Sequence, residues 1–168
     1  HSEYLEVENV RKKLSHLDAV LVAPGFGERG VEGKIEAVRY AREHKLPFFG
    51  ICLGMQMAVI EYARNVLGIQ DSNSVEMDEK TSNPVISLME DQKNILDMGG
   101  TMRLGAWDCE LLGGKIREIY GRDLISERHR HRYEYNNEYR EQLEKAGLKT
   151  TGINPKSNLV ETVEVEDH

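Results

Sequence analysis

Two cysteines stand in this chain, and only Cys52 sits in a pattern that suits a nucleophile. It is the middle residue of Gly50-Ile51-Cys52-Leu53-Gly54. A thiol on a tight strand-to-helix turn has strained backbone angles, and small residues two positions to either side relieve the crowding. From such a turn the thiol projects at the carboxyl edge of a sheet, where open α/β folds place their ligands. The helix start adds positive potential, which lowers a cysteine pKa and favours thiolate. Its backbone N–H groups, that of Leu53 above all, point at the space where an oxyanion would form. The same five residues also fit a structural cysteine packed between two glycines, because Gly-x-x-x-Gly spacing is common. Cys109 lies in a strand-like run with no such surroundings and reads as structural.

An elbow of this kind needs a strand before it and a helix after it. Residues 47–51 (Pro47-Phe48-Phe49-Gly50-Ile51) are a short apolar strand, and Gly54 opens a helix whose apolar stripe is Met57, Ile60, Ala63, Val66 and Leu67, with Gly68 as its stop. Upstream, residues 17–23 form a Val/Leu-rich buried strand that runs into a Gly/Pro loop, residues 24–30. Ile35, Val38, Tyr40, Ala41 and Leu46 then give an amphipathic helix. Strand, helix, strand, helix predicts parallel βαβ construction. Beyond Gly68 the pattern changes to strands at 84–89, 101–112, 131–135, 148–153 and 159–165, with one helix at 137–146. That predicts an antiparallel portion added to the parallel sheet.

Composition narrows the function. The chain has 168 residues, 39% apolar and 30% charged, with a formal net charge of -7, which suits one soluble domain and argues against nucleic acid. The basic run Arg128-His129-Arg130-His131-Arg132 is too short to track a phosphate backbone. Its alternation reads as a strand with arginines on one side and imidazoles on the other. No apolar stretch reaches the ~18 residues of a membrane span, and residues 1–10 are too polar for a signal peptide. Two distant cysteines make no disulfide framework, so a cytoplasmic setting is expected. No set of metal ligands is expected. The chain opens in a loop and stops directly after a strand, which predicts a domain truncated at both ends.

The run Gly50-Ile51-Cys52-Leu53-Gly54-Met55-Gln56 resembles the nucleophile motif of class I (triad) glutamine amidotransferases. Its continuation through Ala58 into Glu61-Tyr62-Ala63-Arg64-Asn65-Val66 resembles the CTP synthase branch of that family. So do Gly27-Glu28-Arg29-Gly30-Val31-Glu32-Gly33-Lys34, Gly99-Gly100-Thr101-Met102-Arg103-Leu104-Gly105 and Glu127-Arg128-His129-Arg130-His131-Arg132-Tyr133-Glu134. The resemblance spans nearly the whole chain in the expected order. It implies a flavodoxin-like, doubly wound α/β fold. It also implies a C–N ligase activity in which glutamine is hydrolysed through a Cys52 thioester and the ammonia aminates UTP to CTP.

The expected partners are L-glutamine and a synthetase domain of the same polypeptide, absent here, that holds UTP, ATP and magnesium. GTP as allosteric effector and a homotetramer of the full-length enzyme are also implied. No cofactor is implied for this domain, and no Gly-x-x-x-x-Gly-Lys-Ser/Thr loop appears in it. Gly25, Leu53, Gly54, Met55, Gln56, Glu76 and Arg132 match glutamine-binding positions. Glu76 would take the α-ammonium, and Arg132, with its planar fork, the α-carboxylate. Taken alone, both are solvated surface charges.

Three departures from the family pattern stand out. Ala23-Pro24-Gly25-Phe26-Gly27 replaces the usual Pro-Gly-Gly-Phe-Gly; Pro24 has no N–H, so the second oxyanion donor must be Gly25 or a neighbour. Val75 replaces a threonine. The His-Pro-Glu motif that carries the family's base and its carboxylate does not occur, and neither His129, His131 nor His168 is assigned that role. Two rival readings remain: a non-catalytic amidotransferase-like module, and a γ-glutamyl hydrolase or peptidase on the same fold.

Overall fold

The structure is a computed structural model that describes residues 1–88 and 102–168. The chain divides into two compact units, residues 1–85 with 167–168, and residues 86–166.

The first unit is built on a parallel pair of strands, β1 (Val20–Val22) and β2 (Phe48–Gly50), in the register Val20 to Phe48 and Val22 to Gly50. A short helix α1 (Val10–Leu14) precedes β1. The long helices α2 (Val31–Glu43) and α3 (Leu53–Asn65) follow β1 and β2 in turn and pack on both strands. Parallel pairing needs such a crossover, so the strand–helix alternation of the sequence leads directly to this arrangement.

Val20 and Val22 are buried on the helical face, while Leu21 and Phe49, opposite each other in the register, are exposed on the other. β1 and β2 form a two-stranded sheet, so the strand before the elbow has one partner among the described residues. The α2–α3 contact buries Ile35, Val38, Ala41, Met57, Val59 and Ile60. It also holds an ion pair: Arg42 Nη2 lies 2.7 Å from Glu61 Oε1 and Nε 2.9 Å from Oε2, with the Glu61 side chain 1% exposed. α3 ends at Asn65, two residues short of the predicted stripe, which leaves Val66 exposed; Gly68 follows in the left-handed region at φ 77°. A short strand β3 (Ser72–Ser74) follows. β4 (Asn83–Ser87) carries the chain into the second unit.

In the second unit β5 (Arg103–Leu111), β6 (Leu124–His131), β8 (Leu148–Ile153) and β9 (Val160–Val165) form an antiparallel sheet in the order β6-β5-β8-β9. The antiparallel strands thus make a sheet of their own. Ile86 and Ser87 pair with the two-residue strand β7 (Glu134–Tyr135). Helix α4 (Gly114–Tyr120) lies between β5 and β6, and α5 (Arg140–Lys145) packs on β8, burying Leu143 and Leu148.

Most expected strands appear within one or two residues of their predicted limits. The strand expected at 131–135 is corrected: β6 ends at His131, and β7 begins at Glu134. Helix α4 was not expected. It begins at two glycines, and its first-turn N–H groups at Lys115 and Ile116 are capped by Glu164 of β9, at 2.9 and 2.8 Å. Met89, Gly99, Gly100 and Thr101, parts of predicted segments, lie outside the described residues. No helix among the described residues is long and apolar enough to cross a membrane.

Candidate active site

Cys52 stands between the last residue pairing of β2 and the first turn of α3, with φ 54° and ψ -108°. A side-chain-bearing residue reaches such angles only at a cost of about 1–3 kcal/mol, so the surrounding backbone must impose them. The imposition is visible. Ile51 N–H donates to Val22 O at 3.0 Å, which carries β2's alignment with β1 one residue further. Gly54 N–H then donates to Ile51 O at 2.9 Å, and Gln56 N–H to Cys52 O at 3.1 Å, closing the first helical turn around the thiol residue.

The two flanking glycines are required by contact and not by backbone freedom. A Cβ at Gly54 would stand 2.1 Å from Val22 O, and one at Gly50 would stand 2.6 Å from both the carbonyl carbon and oxygen of Gly54. Strand and helix thus approach so closely that only hydrogen fits at both positions. The result is a half-buried thiol at the carboxyl end of a parallel strand and the N-terminus of a 13-residue helix. This is the placement that the sequence pattern predicts.

Gly25 comes close to the elbow. A Cβ on it would meet Leu53 Cδ2 at 3.2 Å, so the segment after β1 and the first residue of α3 are neighbours. Gly25, which carries one of the two expected oxyanion donors, therefore runs beside the side chain of Leu53, which carries the other. Gln56 is buried at 8% exposure and Met55 is half-buried. Glu76 follows β3, and its Oε1 accepts the Gly27 N–H at 3.0 Å. Sequence reading did not anticipate this bond. It fixes the glycine loop with the acid expected to meet a cationic ligand. Ser74 Oγ in turn accepts the Glu76 N–H at 3.2 Å.

Arg132 is half-buried in the second unit, in the two-residue turn between β6 and β7. His129 and His131, set aside as bases, are engaged with each other and with Glu161 and Glu134 of the same unit. Their rings face inward while Arg128 and Arg130 are exposed, as the alternation predicts. His168 Nε2 lies 3.1 Å from Leu46 O. Cys109 is buried in β5 at 2% exposure, and burial, then the charges of Glu161 and Glu127, push its thiol up to about 12. Neither cysteine forms a disulfide.

Known proteins agree with this geometry. The chain is 66% identical to a CTP synthase of Flavobacterium johnsoniae over its whole length, and 65% identical to one of Christiangramia forsetii. It spans 32% and 31% of those relatives. Its fold superposes on the glutaminase domain of Trypanosoma brucei CTPS, solved with bound acivicin, with a TM-score of 0.87 and 40% identity. That match covers 98% of this chain and 64% of the other. The model of the class-I glutamine amidotransferase family matches residues 2–168, and the chain belongs to that family.

Proposed function

We propose that this chain is the glutamine-hydrolysing part of a CTP synthase, with Cys52 as its nucleophile. The observation that carries the reading is the forced backbone of Cys52 at the junction of β2 and α3. A merely structural cysteine would not need angles that cost stability, nor two glycines packed to hydrogen-only contact. The same feature disfavours a non-catalytic module.

The Cys52 thiolate attacks the side-chain carbonyl carbon of glutamine, and a C–S bond forms. The electron pair displaced onto oxygen is held by the N–H groups of Leu53 and Gly25, the helix end adding to their potential. Collapse breaks the C–N bond, and the nitrogen leaves as ammonia with a proton delivered to it. A water then hydrolyses the thioester to glutamate and restores the thiol. In the family, the proton steps use a His-Pro-Glu motif that these 168 residues do not contain. Ammonia then aminates UTP at a synthetase domain of the same polypeptide, which would hold ATP and magnesium; GTP regulation and a tetramer belong to that full-length enzyme.

Recognition of glutamine rests on Glu76 for the ammonium and Arg132 for the carboxylate. Glu76 meets the first role well: one oxygen is anchored on Gly27, so the carboxylate is oriented before a ligand arrives. Arg132 is supported by the sequence resemblance alone. Gly54, Met55 and Gln56 complete the expected binding positions around the elbow.

The test is Cys52→Ala in the full-length enzyme. Glutamine-dependent CTP formation should vanish while synthesis from ammonium chloride persists. Glutamine hydrolysis near the wild-type rate in this variant would overturn the assignment.

A further inference from the structure

Within the second unit, five side chains from β5, β6, β7 and β9 close a ring. Arg103 Nη1 donates to Glu134 at 3.2 and 3.3 Å, and its Nη2 to Glu161 Oε1 at 2.7 Å. Glu161 Oε2 faces His129 Nε2 at 3.5 Å, and His129 Nδ1 lies 2.7 Å from His131 Nε2. His131 Nδ1 returns to Glu134 Oε1 at 3.2 Å and to Tyr133 O at 3.2 Å. Arg103, Glu134 and Glu161 are each 5% exposed or less, and the Trp107 ring stacks over the Arg103 guanidinium at 4.6 Å. Burying this many charges contributes little to stability on balance, so their arrangement asks for another reason.

That reason lies in which part of the chain the ring holds on either side. Arg132 and Tyr133 form the turn between β6 and β7, and His131, the Tyr133 carbonyl and Glu134 are all held by it. We propose that the ring is a positioning device for Arg132, with Arg103 as its positioning residue. The inference rests on reading Arg132 as the partner of the glutamine α-carboxylate.

The proton pattern of the ring follows from its acceptors. His131 Nδ1 faces a carbonyl and a carboxylate, so it carries the proton, and its Nε2 must accept from His129 Nδ1–H. His129 Nε2 is left facing Glu161 Oε2 at 3.5 Å. Burial, then the charges of Arg103 and His131, push His129 down to about 4, while burial raises Glu161. The groups facing His129 are Arg103 from β5, Glu127 and His131 from β6, Glu134 from β7 and Glu161 from β9.

The test uses the full-length enzyme. Arg103→Lys keeps the charge but cannot span both carboxylates, and it should raise KM for glutamine about tenfold with kcat changed less than about threefold. Glu134→Gln preserves shape and should do the same. CTP synthesis from ammonium chloride should be unaffected in both. An unchanged KM in both variants, or equal losses with both nitrogen sources, overturns the positioning role. Imidazole nitrogen chemical shifts provide a readout independent of activity: His131 should carry a proton on Nδ1, and the tautomer protonated only on Nε2 would refute the ring. Should Cys52→Ala still hydrolyse glutamine, the functional reading falls, and the tautomer still judges the ring by itself.

Discussion

Cys52 and Cys109 are the same residue set by the backbone in opposite surroundings. Cys109 sits in mid-strand, its thiol in the cluster with Leu111 and Ile125, where losing a proton would leave a charge without water. Cys52 sits where a strand stops and a helix starts, half-buried, with backbone dipoles converging on it. Neither sequence neighbour supplies the difference. It comes from the close approach of α3 to β1, which Gly54 permits. The surroundings of each thiol in this fold are thus set by where the chain turns.

Exchanging the residues breaks the comparison most severely. Cys52→Ala should lower glutamine-dependent turnover about a thousandfold or more, whereas Cys109→Ala should leave it within a factor of about two, as steady-state rates will show. An alkylating reagent sharpens the same contrast. A thiol at about 12 ionises only as pH rises towards that value, so at pH 8 roughly one Cys109 in ten thousand is thiolate. Mass spectrometry should find Cys52 labelled in the native protein and Cys109 labelled only after denaturation.

Gly54→Ala tests whether the close approach creates the elbow. Its Cβ would fall 2.1 Å from Val22 O, and backbone at both ends of the contact leaves no side chain to swing aside. A loss of about 3 kcal/mol or more is expected, read as a lowered Tm or failure to fold. The same substitution at Gly68, where a Cβ meets nothing but φ is 77°, should cost only about 1 kcal/mol.

A smaller effect than that of Cys52→Ala separates two roles of Glu76. Glu76→Ala removes both the Gly27 anchor and the negative charge, and should cost about ten- to a hundredfold in kcat/KM for glutamine. Glu76→Gln keeps a carbonyl oxygen for the Gly27 N–H and loses only the charge, so its loss should be smaller, near tenfold. Equal kcat/KM in the wild type and both variants would mean that the carboxylate only ties down the loop.

The first unit was legible because its signals are local: apolar strands, amphipathic helices and glycines flanking Cys52. The second unit resisted for physical reasons. β6 buries only Ile125 of its eight residues and is held by its ladder to β5, so it carries no apolar period to read. α4 buries nothing and depends on a carboxylate 48 residues downstream for its cap. The Glu76–Gly27 bond and the Arg103 ring likewise join residues distant in sequence, and no spacing rule announces them. The expectation that Arg132 takes a carboxylate came from resemblance, and its surroundings from the fold.

The strained angles at Cys52 carry an evolutionary corollary. Glycine would take φ 54° and ψ -108° without penalty, so a Cys52→Gly chain should be inert yet at least as stable as the natural one. Thermostability and reactivity therefore select in opposite directions at this position. A library of variants screened for survival on heating alone would drift toward the glycine and discard the chemistry, and only a screen that also demands ammonia from glutamine would keep the thiol in place.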